Sequence, residues 1–304
     1  MNDARRRLLI TGASGFIGGH LCRNAVASGW GVEVCQRDAQ GYALPEDVGA
    51  DDVVVHLGGM AHGQVPGTDL VALIEVNAQQ TLKLFTASMQ AGVRRFVWLS
   101  SIKALGDSSA TPLKECDPLN PGDDYGRSKA QGEQMLLQAL QAQPQWAGRL
   151  AIVRPPLVYG PGVGANFLAM ARWATSTWPL PLAGADAPRA WLSVQNLTDF
   201  IQHVATADLG RQVIFHVCDA EQTSVRGMLR SMAQLTGRSA RLFTLPKAVL
   251  LFVARVAGRE AQAQRLLLPL PVSMQATTSQ LNWQPPIKQA DALAEVMTWF
   301  PTQN

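Results

Sequence analysis

The 304-residue sequence predicts a doubly wound α/β fold, a parallel sheet covered by helices on both faces, with a smaller C-terminal lobe beside it. Two observations lead there. Short apolar runs recur along the first half of the chain without polar alternation, as strands buried on both faces require. Segments of helical spacing separate them, so strand and helix alternate.

The first strand is 7–11, Arg7-Leu8-Leu9-Ile10-Thr11, stopped by Gly12; Phe16-Ile17-Gly18-Gly19-His20-Leu21-Cys22 then has helical spacing, and Ser28-Gly29 ends that helix. The second strand covers 32–35, the third 53–57 and the fourth 95–99, with a helix over about 69–90 between the last two. A further helix opens at Tyr125. After Gly160-Pro161-Gly162 the alternation weakens, and Trp and Pro become frequent, as at Trp173, Trp178, Trp191 and Trp283. The expected division is 1–165 for the sheet domain and 166–304 for the lobe, with segments of about 190–217 returning to the sheet domain.

Composition narrows the function classes. Charged residues make up 16% and hydrophobic residues 47%, below the charge of an average soluble domain and far from a disordered composition. A formal net charge of +3 is too small for the basic stripe of a nucleic-acid binder. No run approaches the ~18 apolar residues of a membrane span. The nearest, 249–254, is closed by Arg255 and reads as a buried helix rather than a membrane contact. The basic start of the chain is followed by too short an apolar run for an export signal. Cys22, Cys35, Cys116 and Cys218 are scattered, with no metal-ligand spacing and no disulfide pattern, so no metal and a reducing cytoplasm are expected.

The turn after the first strand reads Thr11-Gly12-Ala13-Ser14-Gly15-Phe16-Ile17-Gly18. Its glycines allow a sharp turn and a close approach to a pyrophosphate, whose charge meets free N–H groups at the helix N-terminus. At the end of the second strand an acidic residue would bond a ribose hydroxyl, whereas an arginine would neutralise a 2′-phosphate. The chain has Gln36-Arg37-Asp38 there, which favours NADP and leaves NAD possible; as a solvated loop residue Arg37 would instead pair with Asp38. The fourth strand runs into Leu99-Ser100-Ser101, and Tyr125 and Lys129 lie four apart at the start of a helix, on one face. A tyrosine working near pH 7 needs its phenolate stabilised by about 4 kcal/mol, and a neighbouring ammonium is a source of that stabilisation. Ser101, at the carboxyl end of its strand, can hold a substrate oxygen.

Together these segments, with Val54-Val55-His56-Leu57-Gly58-Gly59, Asn77 and Arg154-Pro155-Pro156-Leu157-Val158-Tyr159-Gly160-Pro161-Gly162, resemble the extended short-chain dehydrogenases/reductases, the family of nucleotide-sugar epimerases, dehydratases and 4-ketoreductases. The likeness covers residues 8 to about 165. It implies a Rossmann domain that binds NADP or NAD through Gly12, Ser14, Gly15, Phe16 and Ile17 on the pyrophosphate and Arg37 near the adenosine ribose. Leu57, Gly58 and Leu99 would lie along the cofactor, and Pro155 and Val158 beside the carboxamide. It implies Ser101, Tyr125 and Lys129 as catalytic residues, with Lys129 also on the nicotinamide ribose. For a nucleotide-sugar substrate it implies Ser101, Asn166 and Arg189, with Lys103 a candidate near the sugar. The stretch 40–52 is shorter than the family's and lacks an acidic motif for the adenine amine.

The expected reaction is reduction at C4 of a UDP-4-keto-6-deoxy-N-acetylhexosamine in surface-polysaccharide synthesis, by a cytoplasmic homodimer. The alternatives are a UDP-sugar 4-epimerase with tightly held NAD, a reductase of a steroid- or flavonoid-like substrate, and a non-catalytic NADP sensor.

Overall fold

The computed structural model describes residues 6–38, 41–60 and 69–300, without the side chains of Ala165 and Asn166. In chain order its elements begin with β1 (Arg7–Thr11), α1 (Phe16–Ala27), β2 (Gly31–Val34), a two-residue hairpin of β3 (Arg37–Asp38) and β4 (Gly41–Tyr42), and β5 (Val53–His56). Next come α2 (Leu70–Ile74), a π-helical turn at Glu75–Gln79, α3 (Gln80–Gln90), β6 (Arg95–Leu99), α4 (Asp124–Ala142), β7 (Leu150–Arg154) and β8 (Leu157–Tyr159). The remainder is α5 (Ala165–Thr175), β9 (Trp191–Ser193), α6 (Val194–Thr206), β10 (Ile214–His216), α7 (Val225–Leu235), α8 (Lys247–Val256), α9 (Glu260–Leu267), α10 (Gln275–Leu281) and α11 (Gln289–Trp299).

Six strands form one parallel sheet in the order β10-β7-β6-β5-β1-β2. Strand order reverses between β1 and β5, which opens a crevice at their carboxyl ends. Both faces of the sheet are buried, and alternate residues go to opposite sides. Leu8, Ile10, Val53 and Val55 pack under α1 and α6, whereas Leu9, Val54, Phe96 and Trp98 pack under α3 and α4. The long apolar strands of the sequence are thus explained residue by residue.

Past β8 a separate apolar cluster joins α5, α7 and α11 through Phe167, Met170, Met228, Leu229, Leu293 and Val296. In the same half of the chain, β10 pairs with β7 and α6 covers the sheet. Between β2 and β5 the described chain forms the small β3–β4 hairpin, which places Tyr42 against the crevice. The continuous helix expected over 69–90 is interrupted by the π turn at Glu75–Gln79. A larger departure concerns 249–254. The sequence reads as a buried helix, but no residue of α8 is buried. Among the described residues no helix is long and apolar enough to cross a membrane, and no group of His, Cys, Asp or Glu is arranged to hold a metal.

One buried ion pair fastens α4 to the sheet. Arg154, the last residue of β7, presents its guanidinium edge to Glu133 of α4, with Nε to Oε1 at 2.9 Å and Nη2 to Oε2 at 2.5 Å. Both side chains are almost wholly inaccessible. Glu133 also accepts from Ser100 Oγ, and Arg154 Nη1 donates to Glu115 O at 3.1 Å. All the charge is therefore met by hydrogen bonds, the condition under which a buried pair is tolerated. Glu133→Gln leaves the guanidinium buried without its counter-charge and lowers unfolding free energy by about 3–5 kcal/mol, measured by urea denaturation. The double change Glu133→Leu with Arg154→Met costs less than the single one.

Candidate active site

The floor of the crevice is built by close backbone approach. Gly12 has φ +70, and a Cβ there would come within 2.8 Å of Gly58 N. A Cβ on Gly18 would fall 2.2 Å from Gly12 O, so α1 starts directly on the turn. Gly15 precedes α1 with no side-chain hydrogen bond capping the helix. First-turn N–H groups and the positive end of the helix therefore face the crevice, the arrangement that takes a phosphate. A cradle that any side chain would fill, at a sheet switch point, fits a dinucleotide. Ser14 and Gly15 are exposed on this turn and Ile17 is partly covered. Phe16 turns away from the sheet, its ring edge to His20 and 3.5 Å from where a Gly160 Cβ would sit.

A chain of hydrogen bonds runs beneath this floor. Gly58 N donates to Thr11 Oγ1 at 3.1 Å, and Thr11 Oγ1 meets His56 Nδ1 at 2.6 Å. On the other side His56 Nε2 meets Thr81 Oγ1 at 3.0 Å, and Thr81 Oγ1 donates to Asn77 O at 3.1 Å. Each hydroxyl has one hydrogen, which assigns the rest: Thr11 donates to Nδ1, and Nε2 carries the imidazole proton. Burial and the Lys129 ammonium hold His56 down at about 3, so it stays neutral. Asn77 sits in the π turn, fully buried. Its Nδ2 donates to Met60 O and Ser128 Oγ, and its Oδ1 accepts from Met60 N at 2.8 Å. The irregular turn thus clamps the loop after β5 to α4, as π turns often do at functional sites.

Ser101, Tyr125 and Lys129 come together at the carboxyl end of β6. Asp123 caps α4 by accepting from Gly126 N at 2.8 Å, which starts the helix immediately before Tyr125. The Ser101 hydroxyl, which accepts from Lys103 N at 3.2 Å, is close enough to Tyr125 to favour its phenolate. Lys129 Nζ donates to Leu99 O at 2.9 Å and lies 4.9 Å over the Trp98 ring and 5.9 Å over that of Tyr125. Burial lowers Lys129 to about 8. Tyr125 does not show the depressed value expected from its ammonium neighbour. Burial, with Asp123 adding to it, pushes the phenol up to about 12, while Ser101 works in the opposite direction. Its proton is therefore held at neutral pH.

The remaining sequence-predicted residues are distributed around these. Arg37 is exposed on the hairpin, donates to Gln80 Oε1 at 3.2 Å and lies 5.9 Å over the Tyr42 ring. Tyr42 itself presses on Gly58, where a Cβ would be 2.2 Å from its hydroxyl. Leu57 and Val158 pack at the edge of the sheet core, and Pro155 O accepts from Ile102 N. Lys103 is held by Asp123 and by Asp107 Oδ1 at 3.2 Å. Arg189 donates to Leu268 O at 2.6 Å; burial lowers it to about 10, with Asp107 opposing and Arg265 adding to the shift. The Asn166 side chain lies outside the described residues. Arg265 of α9 pairs with Asp123 Oδ2 at 3.1 Å, at the start of α4. No local motif marks Arg265, which reaches this place only through the lobe's fold.

The model of the NAD dependent epimerase/dehydratase family matches residues 8–218. The chain belongs to that family. It is similar to a UDP-glucose 4-epimerase of Vibrio cholerae, 28% identical and covering 92% of this chain and 91% of the relative. A GDP-6-deoxy-D-mannose reductase of Pseudomonas aeruginosa is 25% identical over 76% of this chain and 80% of its own. The fold matches the structure of RMD from Pseudomonas aeruginosa complexed with NADPH, at a TM-score of 0.75 and 21% identity over 98% of this chain and 99% of that one. This family member is an enzyme, an epimerase or a reductase dependent on NAD or NADP.

With Tyr125 as the expected proton donor, a charged Lys129 beside it requires pH below the ammonium's value. As pH rises through about 8, Lys129 loses its charge while Tyr125 keeps its proton. Turnover followed against pH should therefore be level below about 8 and fall above it if Tyr125 and Lys129 do the chemistry, and Lys129→Met should then remove that limb.

Proposed function

We propose that this enzyme is an NADP-dependent reductase acting at C4 of a nucleotide sugar, specifically a UDP-4-keto-6-deoxy-N-acetylhexosamine used in surface-polysaccharide synthesis. The observation that carries the reading is the placement of Tyr125 with the Lys129 ammonium 5.9 Å from its ring, and of Lys129 on Leu99 O at the carboxyl end of β6, beside the close backbone approach of Gly12 and Gly58. That is the arrangement of a proton donor to a carbonyl.

In this reading Gly12, Ser14, Gly15, Phe16 and Ile17 hold the pyrophosphate, Arg37 takes the 2′-phosphate, and Leu57, Gly58 and Leu99 line the cofactor. Lys129 holds the nicotinamide ribose, with Pro155 and Val158 at the carboxamide. A reduced nicotinamide held there would supply a hydride to C4. Ser101 orients the carbonyl oxygen, and Tyr125 gives it a proton as the C4–hydride bond forms, so the ketone becomes an alcohol. The phenolate left behind is stabilised by Lys129 and regains a proton from solvent. Arg189 and Arg265 place two guanidiniums on the sugar's diphosphate, with Asn166 beside them, and Asp107 and Asp123 keep Lys103 at the edge of the sugar site. The enzyme works in the cytoplasm as a homodimer, paired through α3 and α4.

The Vibrio relative's name supports a second reading, a 4-epimerase that keeps its NAD. A reductase must exchange its cofactor at each turnover, and Arg37 at the ribose end, where an acidic residue would suit NAD, favours exchange of NADP. Purified protein should therefore carry no stoichiometric NAD and should consume NADPH with a 4-keto sugar. Tightly retained NAD with UDP-sugar interconversion and no net NADPH use replaces the first reading by the second. Arg37→Ala should raise KM for NADPH about tenfold or more and leave KM for NADH nearly unchanged, measured from initial rates with each cofactor.

A further inference from the structure

The outer face of α8 is apolar, and among the described residues nothing covers it. Val249, Phe252, Val253 and Val256 are 45%, 68%, 59% and 75% exposed, and their spacing sets them in one stripe. On the opposite side Leu250 and Leu251 pack against the lobe's core. A helix apolar on both faces is ordinarily buried on both. Here one face is left to water, and the patch lies on a single element rather than scattered over the surface.

The charge of the surrounding segment is strongly biased in sequence. Residues 226–265 contain eight Arg or Lys and a single acidic residue, Glu260. This segment alone holds more excess positive charge than the +3 of the whole chain, so the rest of the molecule is net negative. Lys247, Arg255 and Arg259 flank the stripe in sequence; Lys247 pairs with Asp186 at 3.3 Å and Arg255 lies 3.9 Å from Glu260, and these pairs are exposed, the Arg255 side chain 78% so, which leaves the cations in excess over two carboxylates. A second copy docked by the same patch would bring like charges face to face. An anionic surface with an apolar interior satisfies both the stripe and the cations.

We propose that α8 docks this enzyme on the anionic face of a phospholipid bilayer, with Val249, Phe252, Val253 and Val256 entering the headgroup boundary and Arg255 and Arg259 meeting lipid phosphates. The docked hairpin also borders the substrate crevice. α9 follows α8 closely, its Arg265 pairs with Asp123 at the start of α4, and Leu268 O accepts from Arg189. Docking therefore places the substrate entrance beside the membrane surface, where a product destined for a membrane-bound transferase is released next to its consumer. The proposal does not depend on which C4 reaction the enzyme performs.

The test is flotation of the full-length protein with vesicles of phosphatidylcholine mixed with phosphatidylglycerol, and with vesicles of phosphatidylcholine alone. The parent should float with the mixed vesicles and not with the neutral ones, and added salt should release it. Arg255→Gln with Arg259→Gln should weaken partition about thirtyfold. Phe252→Ser with Val256→Ser should abolish it while leaving NADPH binding unchanged, because these side chains are exposed and lie outside the crevice. Failure of the parent to float with mixed vesicles overturns the proposal, as does equal binding to both vesicle types. A parent that is dimeric by light scattering and becomes monomeric on Phe252→Ser, without floating, assigns the face to a second copy and overturns it too.

Discussion

The working geometry depends on the buried pair of Arg154 and Glu133. Tyr125, Lys129 and Glu133 stand on successive turns of α4, so the pair that locks Glu133 also sets the height and rotation of the two residues above it. Through Ser100 the same carboxylate reaches the end of β6, next to Ser101. One fully hydrogen-bonded charge pair thereby joins the strand carrying the hydroxyl to the helix carrying the phenol and ammonium. The lobe is tied in at the opposite end, where Asp123 caps α4 and receives both Lys103 and Arg265.

The fold was legible in the sequence wherever the determinant is local. Strands buried on both faces show as unbroken apolar runs, the glycine turn shows because a Cβ has no room at Gly12 or Gly18, and Tyr125 and Lys129 show because helical spacing is fixed. What the sequence concealed is set by long-range contact. The bond from His56 to Thr11 and Thr81 joins residues 45 and 25 positions apart, and the π turn at Asn77 exists because its amide must reach the loop after β5 and Ser128. The Tyr125 proton affinity depends on burial in the folded chain, and here burial outweighs the ammonium that spacing alone suggested.

The clearest divergence between pattern and structure is α8. Six consecutive apolar residues read as a core helix because hydrophobicity counts residues and not partners. Among the described residues the lobe supplies a wall for one side only, against which Leu250 and Leu251 pack, and none for the other. The small positive net charge was similarly deceptive as an average. It conceals a basic segment at 226–265 and a net negative remainder, two parts of the chain suited to different surroundings.

The one-way hydrogen-bond chain beneath the crevice also limits how the chain can vary. Thr11 must receive from Gly58 and give to His56, and Thr81 must receive from His56 and give to Asn77 O. Only a hydroxyl can do both in that volume, so these two positions are confined to Thr or Ser although Val would fill the same space. Their neighbours Ile10 and Val55 are held by volume alone and can exchange for other aliphatic residues. Within a single layer of the core, two different rules of substitution thus operate side by side, one of shape and one of proton direction.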